Sequence, residues 1–215
     1  MRFVLLACSC LSLAGCASMS KSECVYADWR AIGYEDGANG HTASVISSRR
    51  QACAKAGVTP DMDAYLAGRD AGLAEYCTPA NGFSTGESGY SYNGVCGRHD
   101  EASFLEQHRL GARLYMLRER ASSASYALRQ ANDDLGATRY AITQTATAII
   151  RPDLTVAERA AQVVELTRLT EEGERIERSI PALRTNVDIA EAELHDYETH
   201  LASRALPVRS QVAVR

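Results

Sequence analysis

The residues of this 215-residue chain best suited to chemistry are its cysteines, and four of the seven, Cys24, Cys53, Cys77 and Cys96, are spread over its first half. Their spacings leave 28, 23 and 18 residues between neighbours, so no CxxC pair occurs. Structural zinc sites and thiol-exchange enzymes both draw on such close pairs, which argues against either chemistry here. An even set of isolated cysteines reads instead as two disulfides, provided the compartment is oxidising. Four cysteines allow three pairings. Sequential pairing, Cys24 with Cys53 and Cys77 with Cys96, is favoured because it staples each local segment. Other reactive constellations are sparse: there is no HExxH, no glycine loop ending in Lys-Ser or Lys-Thr, and no GxSxG. The five histidines are dispersed, and His99-Asp100-Glu101 is the densest group available for hydrolysis or metal binding. Its plainer role is a helix start capped by Asp100. No catalytic residue, cofactor or metal ligand is therefore assigned.

The compartment is set by the N-terminus. Arg2 precedes an apolar run from Phe3 to Ala14, followed by Gly15 and Cys16. The run is too short for a membrane-spanning helix and has the layout of a secretory signal over residues 1–15. The sequence Leu13-Ala14-Gly15-Cys16 resembles the lipobox of bacterial lipoproteins, in which the cysteine thiol takes the diacylglycerol thioether and becomes the first residue of the mature chain. Cys16 is thus the expected lipidation site, and residues 16–23 a lipidated tether. Ala17 rather than Asp follows it, which favours the outer membrane, on its periplasmic face. Cys8 and Cys10 leave with the signal, and the four later thiols enter an oxidising space. Loss of residues 1–15 leaves 22 Lys plus Arg against 27 Asp plus Glu, a net charge of −5. That balance gives no electrostatic reason to bind nucleic acid, and the membrane contact expected is the N-terminal lipid itself.

The elements that carry these residues fall into two regions. Residues 24–100 hold the four cysteines and most of the glycine, whereas 102–203 contain only Gly111, Gly136 and Gly173. In the first region Asp28 caps one short helix and Asp61 or Asp63 another. Gly33 with Gly37, and Gly68 with Gly72, give each a GxxxG face along which two backbones can approach closely. A helix within 41–56 ends at Gly57 and Pro60. Residues 78–97, with Gly82, Gly86, Gly89 and Gly94, read as a turn-rich loop tied by Cys77 and Cys96, a closure worth about 3 kcal/mol. Phe83, Tyr90 and Tyr92 make this loop a possible recognition surface.

Several of these pieces occur together in one family. Tyr34-Glu35-Asp36-Gly37, Gly68-Arg69-Asp70-Ala71-Gly72-Leu73, Tyr76-Cys77-Thr78-Pro79, Gly82-Phe83 and Tyr92-Asn93-Gly94-Val95-Cys96, followed by Phe104 and Gly111, resemble the bacterial envelope lipoproteins that carry domain of unknown function 2799. The resemblance spans roughly residues 20–120 and implies an envelope lipoprotein, with no activity or binding residues to carry across.

The second region has a long apolar period. Leu114, Leu117, Ala121, Ala124, Leu128, Ala131, Leu135, Thr138, Ile142, Thr145 and Ile149 recur at alternating spacings of 3 and 4. Leu166, Leu169, Gly173, Ile176, Ile180, Leu183, Val187, Ala190, Leu194, Tyr197 and Leu201 repeat the pattern. Such a period is that of a coiled-coil seam. Thr155 and Glu158 form a capping box just after Pro152, and Pro181 is expected to kink the second helix without ending it. The expected fold is mainly α: a small disulfide-stapled module of helices and loop over 24–100, then a coiled-coil-like antiparallel hairpin over 101–203, turning at 150–155, with a tail at 204–215.

Function is correspondingly read as a non-enzymatic envelope lipoprotein with a structural or protein-interaction role. The expected partner is another envelope protein or a second copy, through the hairpin. The alternative is recognition of peptidoglycan or saccharide by the 78–96 loop, and a hydrolase centred on His99 ranks below both.

Overall fold

The computed structural model of the chain describes residues 19–205; the signal assigned to 1–15, Cys16 and most of the tail at 204–215 lie outside the described residues. Seven helices and no strand occur among the described residues. They are α1 (Lys21–Val25), α2 (Trp29–Ala38), α3 (Val45–Lys55), α4 (Met62–Tyr76), α5 (Pro79–Glu87), α6 (Glu101–Ile149) and α7 (Val156–Ala205). The chain divides into two compact units, one of residues up to 83 with 91–108, the other of 84–90 with everything from 109 onward.

In the first unit α1, α2 and α4 each start at a side-chain cap. Ser20 and Glu23 exchange side-chain and backbone bonds in a capping box at α1. Asp28 accepts from the amides of Arg30 and Ala31, and Asp61 from that of Ala64, satisfying donors that have no partner within the helix. The principal helix pair is α2 against α4, and its glycines face one another's backbones. A β-carbon added at Gly33 would lie 2.0 Å from the carbonyl oxygen of Tyr65, and one at Gly68 would lie 1.9 Å from that of Arg30. Gly37 and Gly72 meet Arg69 and Tyr34 in the same way. The two GxxxG faces therefore form a single backbone-to-backbone contact that no other residue type fits.

Disulfides secure both ends of this pair. Cys24–Cys53 joins α1 to α3, and its sulfurs sit in a core with Trp29, Ile46 and Tyr65. Cys77–Cys96 ties the end of α4 to the segment before α6, within a core of Leu73 and Phe104 on which Tyr76 and Tyr92 pack with ring centroids 5.3 and 5.0 Å from Phe104. Phe104 is fully buried, so the first turns of α6, to His108, belong to the disulfide unit rather than to the hairpin.

Residues 79–87 correct the sequence reading, for they form helix α5 rather than a loop. Thr78 caps it by accepting from the Asn81 amide, and Pro79 takes the first helical position, where its missing N–H is not needed. Gly82 is held in the helix by tertiary contact: its α-carbon faces the Phe104 carbonyl, which an added β-carbon would approach to 2.4 Å. The turn chemistry is confined to Gly89 and Gly94, both at positive φ.

The second unit is an antiparallel helical hairpin. Thr155 and Glu158 bond reciprocally at the start of α7, and Arg159 closes the turn by donating to the carbonyls of Ile149 and Arg151. None of the 22 seam positions is exposed; Leu114, Ala121, Leu135, Thr138, Leu169, Gly173, Ala190 and Tyr197 are buried and the rest half-buried. The antiparallel register is fixed by cross-helix pairs: Arg118 with Glu198, Arg120 with Glu193, and Arg139 with Glu177. Nearest the base, Tyr197 donates to the Leu110 carbonyl at 3.0 Å and stacks under Arg113. In heptad terms these ion pairs occupy the two positions flanking the seam, where an antiparallel two-stranded coiled coil places them. Pro181 sits inside α7, which runs on without a break, its ring on the solvent side and the seam continuous past it. At 1.5 Å per residue the 49 and 50 residues of α6 and α7 each correspond to a helix of about 75 Å.

Candidate functional site

The three rings read as a recognition surface take different places. Tyr92 is half-buried in the first unit, and its hydroxyl donates to Glu101 at 2.6 Å while accepting from the Cys96 amide at 2.7 Å. Burial, and then the bond to Glu101, push that hydroxyl's pKa up to about 12. Phe83 lies in α5 and is also half-buried. Tyr90 belongs to the second unit and is 70% exposed. Tyr92 is thus a structural tie across the second disulfide, and of the three rings only Tyr90 is mainly on the surface.

The His99 group does not converge either. Asp100 accepts from the Ser103 amide as the cap of α6, and Glu101 holds Tyr92. His99 turns away toward α4, with Nε2 3.3 Å from Asp70 Oδ1. Among the described residues no cluster of three His, Cys, Asp or Glu is arranged to hold a metal ion.

The densest polar centre is one that sequence reasoning missed. Asp36 is 2% exposed and lies on the glycine face of α2, one position before Gly37. Both its oxygens engage the Arg49 guanidinium of α3, with Nη2 to Oδ1 at 3.0 Å. The fully buried Tyr65 of α4 donates to Oδ2 at 2.9 Å, and Nδ1 of His41 lies 3.4 Å from Oδ1. Arg69 donates to the His41 carbonyl at 2.8 Å. Burial alone would raise the Asp36 carboxyl, but the bonds from Arg49 and Tyr65, the Arg49 charge and the His41 contact outweigh it and hold the pKa below the usual carboxylate value. Burial and the bond to Asp36 push Tyr65 up to about 12. Each lone pair of the carboxylate has a donor, so the group acts as a three-helix clasp whose charge is held in place rather than as a reactive base. The signal that could have located it is the spacing 33, 36, 37: a carboxylate on a face otherwise made for close contact must find a buried cation.

Residues 28–113 match the family model described as a protein of unknown function, DUF2799. The chain carries a DUF2799 domain. No curated protein and no solved structure matches the chain. The DUF2799 match takes in the facing glycines, the Asp36 clasp and the Cys77–Cys96 disulfide. Cys24 lies just outside it, and so do all of α7 and α6 beyond Arg113. The DUF2799 domain thus corresponds closely to the first compact unit.

Proposed function

We propose that the chain is a bacterial envelope lipoprotein with a structural or protein-interaction role, held at the periplasmic face of the outer membrane by lipid on Cys16. Its coiled coil is the working arm, setting distance and meeting another envelope protein. The observation that carries this reading is the hairpin's continuous seam: 22 positions, eight buried and fourteen half-buried, flanked by ion pairs at Arg118, Arg120 and Arg139. Ion pairs on both sides of the seam suit a hairpin whose two helices are each other's partners. Two disulfides are in keeping with an oxidising compartment. No helix among the described residues is long and apolar enough to cross a membrane, and lipid on Cys16 would attach the chain to one leaflet without crossing it.

The test has two arms. Labelled palmitate should mark the protein and be lost with Cys16→Ala; unchanged labelling or unchanged membrane partition in that variant refutes the anchor. Sedimentation of the Cys16→Ala protein should give a monomer, and an obligate dimer dependent on residues 114–201 would move the role of the hairpin to self-assembly. A second reading, recognition of peptidoglycan or saccharide by residues 78–96, has the exposed Tyr90 in its favour. It requires co-sedimentation with purified cell wall that is abolished by Tyr90→Ala.

A further inference from the structure

Apart from the Asp36 clasp, the first unit contains a groove of about 380 Å³ between α4 and the segment that Cys96 anchors, lined by Leu66, Arg69, Asp70, Val95 and Arg98 among others. Its charges are unbalanced. Arg69 is half-buried, makes one hydrogen bond, to a backbone carbonyl, and has no ion-pair partner among the described residues; its Nε is buried and bonded to nothing. Arg98, also without an ion pair among the described residues, stands exposed on the opposite wall. The one acid of the groove, Asp70, has Oδ1 3.3 Å from His99 Nε2, without hydrogen-bond alignment. The Arg69 Nε is closed off from the groove, but Arg69 and Arg98 line it as two cations with no carboxylate of the chain paired to either among the described residues, which leaves the wall suited to an anionic acceptor from outside. The remaining wall is apolar, with Leu66 half exposed although its neighbour Tyr65 is fully buried.

We propose that this groove binds an oxyanion carried beside a small apolar group, namely the free carboxyl end of a short peptide. The carboxylate bridges the guanidinium groups of Arg69 and Arg98, and the terminal side chain rests on Leu66 and Val95. Guanidinium suits this role because its planar donors match a carboxylate in pairs, and a charge-assisted bond of this kind is about twice as strong as a neutral one. The frame is rigid on both sides: α4 is locked to α2 by facing glycines, and residues 95–98 are tied by the second disulfide. The inference does not depend on the anchoring role proposed above.

The test is an NMR titration of the full chain with N-acetyl-alanyl-leucine, following the Arg side-chain Nε–H signals, alongside its C-terminal amide and inorganic phosphate. The acid should shift the Arg69 signal and saturate, whereas the amide should not bind. Arg98→Gln should weaken the acid roughly tenfold or more, the loss expected for one charge-assisted contact. Arg98 is exposed and unbonded, so this variant leaves the fold intact and decides the matter; Arg69→Gln, which also frees the His41 carbonyl, is supporting. No shift at millimolar peptide, equal binding of the amide, or an unchanged Kd in Arg98→Gln overturns the proposal. Phosphate bound as tightly as the peptide overturns the peptide assignment.

Discussion

The α-carbon of Gly33 is seated against the carbonyl oxygen of Tyr65, with room for a hydrogen atom and not for a methyl group, which would come within 2.0 Å of that oxygen. The obstacle is backbone on a disulfide-anchored helix pair and cannot swing aside. Gly33→Ala should therefore destabilise the first unit by about 3 kcal/mol or more, the upper range for overpacking. The single tryptophan, Trp29, is buried in that unit, so its fluorescence in urea reads the effect directly. Gly136 offers the control. Nothing lies within 4 Å of an added β-carbon there, and Gly136→Ala should raise the stability of the hairpin by about 0.8–1 kcal/mol, measured by far-ultraviolet circular dichroism.

Removing the charge of the clasp should be worse than its hydrogen-bond count suggests. Asp36→Asn leaves the Arg49 guanidinium, whose side chain is 19% exposed, without its counter-charge, a loss of about 3–5 kcal/mol. A thermal melt followed at Trp29 should show it, and a change within error of wild type would mean that solvent already screens the pair.

The same clasp sets a pH window. The Asp36 carboxyl is held below its unfolded value, so its contribution is complete above about pH 4 and declines as pH falls toward the folded value. Tyr65 is raised to about 12, so its contribution is complete below about pH 10 and is lost as pH rises through 12. The clasp's contribution to the first unit should be level between these limits and fall at both ends. Asp36→Asn should abolish much of the acid limb, as followed by Trp29 fluorescence.

The disulfides should differ in a definite order. Opening the loop between Cys24 and Cys53, 29 positions apart, should cost about 3.5 kcal/mol, and opening that between Cys77 and Cys96, 19 positions apart, about 3. Paired serine substitutions with urea unfolding monitored at Trp29 test this. Non-reducing peptide mapping should recover these two pairs; recovery of either alternative pairing contradicts the fold.

The flanking ion pairs should contribute register more than strength. Arg139 and Glu177 are each about 60% exposed. Arg139→Glu should lower hairpin stability by about 0.5–1 kcal/mol, and adding Glu177→Arg should restore most of it. A double-mutant cycle whose coupling does not shrink in high salt would show that the pair is less solvated than its exposure indicates.

The hairpin was legible because one rule governed it: a seam from Leu114 to Ile149 matched to one from Leu166 to Leu201 needs only local periodicity, and the capping box at Thr155 marks the turn. The disulfides were legible as a choice among three. Helix α5 was hidden because Asn81, Gly82 and Gly86 carry the composition of a turn; the Thr78 cap and Pro79 were local clues, but what keeps Gly82 helical is the Phe104 backbone, 22 residues away. The Asp36 clasp was hidden for a related reason. Arg49 and Tyr65 lie 13 and 29 residues from it, and no spacing rule links three separate helices.

An arm that runs out along α6 and returns along α7 can change length only by edits made in duplicate. Seven residues removed from one strand would strand Arg139 opposite the wrong partner unless seven were removed from the other at the same height. Any lineage that resizes this hairpin by whole heptads must therefore trim or extend it symmetrically about residues 150–155, changing its length in steps of about 10 Å, the rise of one heptad.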